Sequence, residues 1–299
     1  TNFIDVGSSN TFVTDISRQY DRLIISKETE TYYATYEQVT DTEGNSIIAF
    51  PTYPLNSSHG MVAKGQGQLL DNYVTTIDSS IVQWVNTQSR DERNAEIVSQ
   101  RVQEWMNDKD LTKAVTMDYQ KLKEYWLAID NEVLIYNYGN STFYLLNLSE
   151  NPTSFFVHEG DIYMGTSEGK IMKWDDEATS FDGQTINAEW HSGFYDFDAE
   201  YKRKTMRRLW ITLKPWFRTS LIVNYESDRN TGTDPKEVSS IRYAYGYVNY
   251  KDWTYNTSYS VKPFRIKLKA KKFAFEKIIL TNNKKDEKLT VNSIEIQKS

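Results

Sequence analysis

There is no cysteine anywhere in the 299 residues, and there are only three histidines and six prolines. Without cysteine there can be no disulfide framework, thiol nucleophile, iron–sulfur cluster or cysteine-ligated zinc, so packing and hydrogen bonding must hold the fold together. No apolar run approaches the ~20 residues needed to span a bilayer, and no basic, apolar and small-residue series opens the chain as a signal peptide would. The histidines, His59, His158 and His191, lie far apart, and none sits in a zinc-type spacing. Each reads as a surface or packing residue. Phosphate-binding loops, dinucleotide fingerprints and nucleophile elbows are missing too, and Gly65-Gln66-Gly67 is too short a match to count.

Candidates for chemistry are correspondingly few. Asp175-Asp176 could supply acid and base for glycoside cleavage, but adjacency in sequence does not place two carboxylates across a bond. The loop Asp228-x-Asn230-x-Gly232-x-Asp234 alternates oxygen donors as a calcium loop would, yet Ser239 stands where the bidentate glutamate belongs. A polar hairpin turn is the expectation there. Thr1, with no methionine before it, could be imagined as an N-terminal nucleophile, and nothing else in the sequence supports that. The reading is a non-enzymatic protein with no catalytic residue, no metal and no cofactor.

What the chain does have is aromatic residues, 21 Tyr, 13 Phe and 8 Trp. They recur with threonine, valine and isoleucine in short runs that suit half-buried strands. Leu23-Ile24-Ile25, Tyr32 to Tyr36 and Ser46 to Phe50 read as antiparallel strands, and Tyr73 to Ile77 with Ile81 to Val85 reads as a hairpin around Asp78-Ser79-Ser80. One segment breaks the β pattern. Ser89 and Glu92 form a capping box, and Ala95, Val98, Val102, Trp105 and Met106 share a helical face, which predicts an amphipathic helix over about 90–106.

After that helix the sequence repeats itself. Tyr125 to Tyr136, turning at Asp130-Asn131-Glu132, is echoed 29 residues later by Ser154 to Met164, turning at Glu159-Gly160-Asp161. Successive meanders of this length are expected in radially repeated propeller blades, because one small meander cannot bury both faces unless neighbours stack on it. A two-sheet sandwich built from the same hairpins is the alternative. From Thr185 onward the strands are longer and alternate with period two, as in Phe264-Arg265-Ile266-Lys267-Leu268, which argues for a separate β-sandwich. The fold class expected is mainly β, a partial β-propeller with one amphipathic helix followed by an antiparallel β-sandwich. Its domains are expected at 1–184 and 185–299.

Charge divides the chain in a similar place. Residues 1 to 200 hold 13 basic and 32 acidic side chains (net −19), and residues 201 to 299 hold 22 and 9 (net +13). The acidic part would repel nucleic acid, whereas the basic part could meet an acidic neighbour or a phosphate backbone; solvated lysine-rich strand faces would give the same pattern.

At Asn187-Ala188-Glu189-Trp190-His191-Ser192-Gly193-Phe194-Tyr195-Asp196-Phe197 and Lys202 to Pro215, the sequence resembles the propeller-to-sandwich junction of phage tail and stabilisation proteins. These are the nozzle or muzzle class that closes the distal tail of short-tailed phages. Gly165 to Trp174, Val223 to Arg229 and Leu289 to Ile296 fit the same pattern, so the resemblance covers roughly residues 85 to 299. Members of that family are longer, which implies that this chain is a C-terminal portion of a larger protein. The resemblance further implies a virion tail component, a homo-oligomeric ring around the DNA exit channel with a hexamer as one option. Its partners would be other tail proteins and transiently passing DNA, with no membrane span. A carbohydrate- or receptor-binding adhesin module is the alternative function.

The interface candidates are Lys202, Arg203, Lys204, Arg207 and Arg208. If 207–214 is a strand, Arg208, Trp210, Thr212 and Lys214 share one face. Arg207, Leu209, Ile211 and Leu213 then share the apolar, buried one, where Arg207 would have to snorkel or pair with a carboxylate.

Overall fold

The computed structural model describes residues 4–40, 44–85, 95–197, 201–214, 216–229, 235–241, 260–268 and 270–298. The chain is mainly β with antiparallel sheets and divides into two compact units, Thr1–Asp176 and Glu177–Ser299. The short hairpin at 180–185 therefore belongs with the second unit.

The first unit is a series of four meanders. The first consists of β1 (Val13–Gln19), β2 (Arg22–Lys27) and β3 (Thr31–Thr35). A hairpin of β4 (Glu37–Thr40) and β5 (Ser46–Ala49) then intervenes, before β6 (Thr52–Asn56) returns to pair with β3. The second consists of β7 (Gln68–Leu70), β8 (Tyr73–Ile77), β9 (Ile81–Trp84) and β10 (Ala95–Ile97). The third is β11 (Val115–Tyr119), β12 (Glu124–Ile129), β13 (Glu132–Asn137) and β14 (Thr142–Asn147). The fourth is β15 (Pro152–His158), β16 (Asp161–Thr166) and β17 (Ile171–Lys173). First strands touch in succession, β1 with β7, β7 with β11 and β11 with β15, which is how the innermost strands of propeller blades are arranged.

Stacking explains why the middle meanders are apolar on both faces. On β8 and β9, Val74, Val82 and Trp84 pack with Ile24 of the first meander, and Ile77 and Ile81 pack with Tyr125, Leu127 and Ile129 of the third. The Trp84 indole N–H donates to Thr76 Oγ1 at 3.1 Å, so its one polar atom is satisfied inside. All six residues of β12 are buried; Trp126, on the face opposite Leu127, meets Phe155 and Trp174 of the fourth meander edge-on at 6.0 and 5.1 Å. Tight turns at Asp71-Asn72 and Glu159-Gly160 have positive φ at both residues (45° and 71°, 53° and 85°), the twist that two-residue hairpins need. The 29-residue echo superposes β12–β13 on β15–β16. It matches hairpin with hairpin but slips by one strand relative to the meanders, which are in phase when β7–β9 is set against β15–β17.

Over 95–106, the part of it that is described, the helix expected at 90–106 is largely replaced by other structure. Residues 86–94, with the Ser89–Glu92 box, lie outside the described residues, and Ala95–Ile97 is strand β10, in register with β9 (Ala95 opposite Trp84, Ile97 opposite Val82). Within 95–107 the helical pieces are a 3₁₀ turn at Gln100–Val102 and the α-helix α1 (Gln103–Asn107). The free edge of β9 offers the backbone of 95–97 the hydrogen bonds a helix would have supplied, and pairing wins over local periodicity. The apolar positions are nonetheless inward: Met106 is buried, and Val98, Val102 and Trp105 pack against the core between the second and third meanders.

The second unit is a sandwich. After the hairpin β18 (Ser180–Phe181) and β19 (Gln184–Thr185), one sheet has β20 (Ala188–His191), β26 (Glu276–Asn282), β22 (Arg218–Ser227) and β23 (Lys236–Ile241) in that order. In the other, the long β21 (Lys204–Leu213) is flanked by β24 (Lys262–Ile266) and β25 (Lys271–Phe273) on one side and by β27 (Val291–Lys298) on the other. Leu209, Ile211 and Leu213 of β21, Leu221 and Val223 of β22, and Ile278 and Leu280 of β26 form its core, as period-two alternation requires.

Arg207 is not on the buried face of β21. Met206 pairs with Lys298 and Arg208 with Gln297, so Arg207 is the extra residue of a β-bulge and is exposed. Alternation restarts across it, with Lys204 and Met206 buried before and Leu209, Ile211 and Leu213 buried after. Deleting Arg207 would leave Met206 and Leu209 two residues apart and both inward on a regular strand, with the pairing to β27 in register on either side, so the core should survive and urea denaturation should show a change of no more than about 1 kcal/mol. Arg207→Ala, which keeps the bulge, should change stability by no more than about 0.5 kcal/mol.

Candidate functional site

The five basic residues around the start of β21 do not form one surface. Lys202 is exposed, with its ammonium 5.5 Å from the centre of the exposed Tyr201 ring. Arg203 Nη1 binds Asp228 Oδ2 at 2.6 Å. Lys204 is buried, and its Nζ donates to the Ala274 carbonyl at 3.0 Å. It ties β21 to the turn before β26 and is withdrawn from any partner. Arg208 lies on the outer face, where Trp210 has Arg265 and Glu295 as cross-strand neighbours.

Next to this corner the chain buries a carboxyl group that sequence reasoning missed. Glu276 opens β26 on its inward face, in line with Ile278 and Leu280; it is 1% exposed, and neither carboxylate oxygen has a hydrogen-bond partner. Burial pushes its pKa up to about 8. The contrast with Asp228 is instructive. Burial also pushes the Asp228 carboxyl upward, but the Ala274 amide, donating at 2.8 Å, and the Arg203 guanidinium outweigh it and hold the group below its usual value.

Glu276 gives a signed pH dependence. Its folded pKa lies above the ordinary value of 4.5, so between the two the folded state holds a proton that the unfolded chain has lost, and stability falls as pH rises. Unfolding free energy should decline from about pH 4.5 to 8 at a limiting slope of about 1.4 kcal/mol per pH unit from this group, and level off above that. Glu276→Gln should remove that decline; urea titrations at pH 5 and pH 8 provide the check.

The remaining candidates are placed singly. His59 Nδ1 is 2.6 Å from Asp78 Oδ2, and Asp78 also accepts from the Ser80 amide at 2.7 Å, closing the β8–β9 turn. His191 bonds to Glu189, two residues away on β20, and His158 sits exposed beside Glu159. Asp176 accepts from the Trp174 indole at 2.7 Å, a local contact within one loop. Of the calcium-like loop, Asp228 is engaged as described and 230–234 lie outside the described residues. Among the described residues, no three His, Asp or Glu side chains cluster as a metal site would require, and no helix is long and apolar enough to cross a membrane.

Contact surfaces are more prominent. Among the described residues the β4–β5 hairpin pairs with no other strand, and it exposes Val39, Ile47 and Ile48, with Tyr36 and Phe50 packed edge-on at its base at 6.0 Å. The fourth meander uses Phe155 against the third, but its opposite face exposes Phe156, stacked on Tyr163 at 5.0 Å, and Ile171, which is 73% exposed. In the sandwich, a groove of ≈ 480 Å³ runs between β20 and β27 beside the half-exposed Trp190.

No protein-family profile matches the sequence, and no curated protein does either. Among solved structures, the chain is similar at 16% identity and a TM-score of 0.35 to the extracellular domain of a B. thetaiotaomicron protein described as a hybrid two-component system. The match covers 62% of this chain and 24% of that one. It is also similar at 8% identity and a TM-score of 0.29 to an exo-β-1,3-galactanase from Phanerochaete chrysosporium solved with galactose, over 94% of this chain and 80% of the enzyme. Likeness at this level carries no functional argument.

Proposed function

We propose that this chain is a non-enzymatic structural subunit of a phage tail, of the nozzle or muzzle type. In this reading it works as a homo-oligomeric ring in the virion, in contact with other tail proteins and around a channel through which DNA passes. The observation that supports an assembling subunit is the outer face of the fourth meander, where Phe156, Tyr163 and Ile171 present the apolar surface that the inner meanders bury against each other. The tail assignment rests on the resemblance of residues 187–197 and 202–215 to the propeller-to-sandwich junction of that class. The alternative, a sugar-binding adhesin, would need tryptophans gathered as an open platform. Trp84 and Trp126 are instead core residues, and Trp105 donates its indole N–H to Glu132 Oε2 at 2.8 Å.

Light scattering on the purified chain should give a mass of several copies, and electron microscopy should show closed rings; a strict monomer at micromolar concentration would contradict the proposal. Ile171→Asp and Ile48→Asp change exposed residues, so each should leave the melting temperature unchanged while shifting the population towards smaller species. Arg208→Glu and raised salt should act in the same direction if the basic face meets an acidic neighbour.

A further inference from the structure

We propose that the open edge of the sandwich between β20 and β27 is a strand-acceptor site, which binds an extended segment of a partner protein alongside β20. The segment is one in which aliphatic residues alternate with lysine or arginine. This goes beyond the tail reading and does not depend on it.

The direction of the groove carries the argument. Successive residues of a strand point to opposite faces, so a groove lying on a sheet face touches every second residue. This one is lined by three consecutive residues of β20, Ala188 to Trp190, and by four of β27, Val291 to Ile294. It therefore looks onto the strands edge-on, at their backbones. Among the described residues β20 pairs on one side only, with β26, in unbroken register from Ala188–Asn282 to His191–Ile279, and all four of its residues are exposed. Its outer row of N–H and C=O groups is a template for one more strand.

Two of the other edges are less receptive. β24 carries Pro263, which has no N–H to offer, between Lys262 and Arg265, and β27 has a register break at Asn292 that twists its edge. The chemistry of the lining then selects the occupant. Leu280, Leu289, Val291 and Ile294 form the floor, continuous with the sandwich core, and would receive the inward-facing aliphatic side chains of an added strand. Glu189, which also bonds to His191, is the one charged residue of the lining among the described residues and favours a cationic strand.

The test uses the full chain and three synthetic ten-residue peptides. One alternates valine with lysine, one alternates valine with glutamate, and one is the lysine peptide with two central lysines replaced by proline. Calorimetry should detect binding of the lysine peptide and at least about tenfold weaker binding of the other two. Amide hydrogen exchange should slow at Ala188–His191 when the lysine peptide is present. Glu189→Lys, an exposed substitution, should reverse the preference between lysine and glutamate peptides without changing the melting temperature. Equal binding of the proline peptide, or binding without slowed exchange at 188–191, would overturn strand addition. Binding of β-linked oligosaccharides at this groove, with none of the peptides taken up, would overturn the peptide assignment and make it a sugar site.

Discussion

A three- or four-stranded meander has two faces, and in the first unit the inner ones are apolar on both. That constraint organises the unit. A meander in water can hide one face at most against itself or a loop, so Val74, Val82 and Trp84 on one side and Ile77 and Ile81 on the other require two neighbours at once. At roughly 1.5–3 kcal/mol per large side chain buried, each such layer contributes more than any polar contact the meanders make. The turns and caps then have only to set spacing and register. The His59–Asp78 contact and the left-handed pair Asp71-Asn72 do this at the two ends of β8.

The same constraint says where apolar surface is left uncovered. Burial on both faces holds through β12 and β13 and fails at β15, where Phe156 and Val157 are exposed, and at β17, where Ile171 is. The β4–β5 hairpin is a second departure, since two strands alone are marginal in water and this pair carries Val39 and Ile47 opposite one another in the open. Exposed apolar residues scattered singly need no explanation; those of β15 and β17 lie on strands whose equivalents in the third meander, β11 and β13, are largely covered. That is the physical content of the proposal that the chain is a subunit.

How much of this could be read from sequence varied with how local the cause was. The mainly β character and the separate sandwich were legible, because period-two alternation and β-branched and aromatic runs are local signals. The helix was misread since Ala95, Val98 and Val102 do fall on one helical face, whereas the cause of β10 is the unpaired edge of β9, ten or more residues away in sequence. The bulge left a faint trace. Met206 and Leu209 are an odd number of residues apart, which period two forbids for two inward residues of one regular strand, and Arg207 is where the extra residue sits. No motif singles out Glu276 in the sequence, and it is the register Glu276–Ser227 and the inward phase of Ile278 and Leu280 that put it inside. The groove beside Trp190 left no trace at all, because it is made by two edges, β20 and β27, roughly a hundred residues apart in the chain.

The corner around Lys204 shows how the sandwich tolerates polar groups in its interior. Lys204 and Glu276 begin the inward faces of β21 and β26, and they are treated differently. The ammonium of Lys204 reaches the Ala274 carbonyl, so a charged group keeps a partner as its strand enters the core. Asp228, nearby, gathers the Ala274 amide and Arg203, so it too is compensated. Glu276 has no such partner, and an ionised carboxylate there would bear the full desolvation cost that the other two avoid. The neutral acid is therefore the form that fits, and this end of the sandwich holds together best while that proton stays bound. A rise in pH thus loosens the unit at the point where the basic cluster begins, so any partner that needs Arg203 and Arg208 held in place would feel the ionisation of a residue it does not touch.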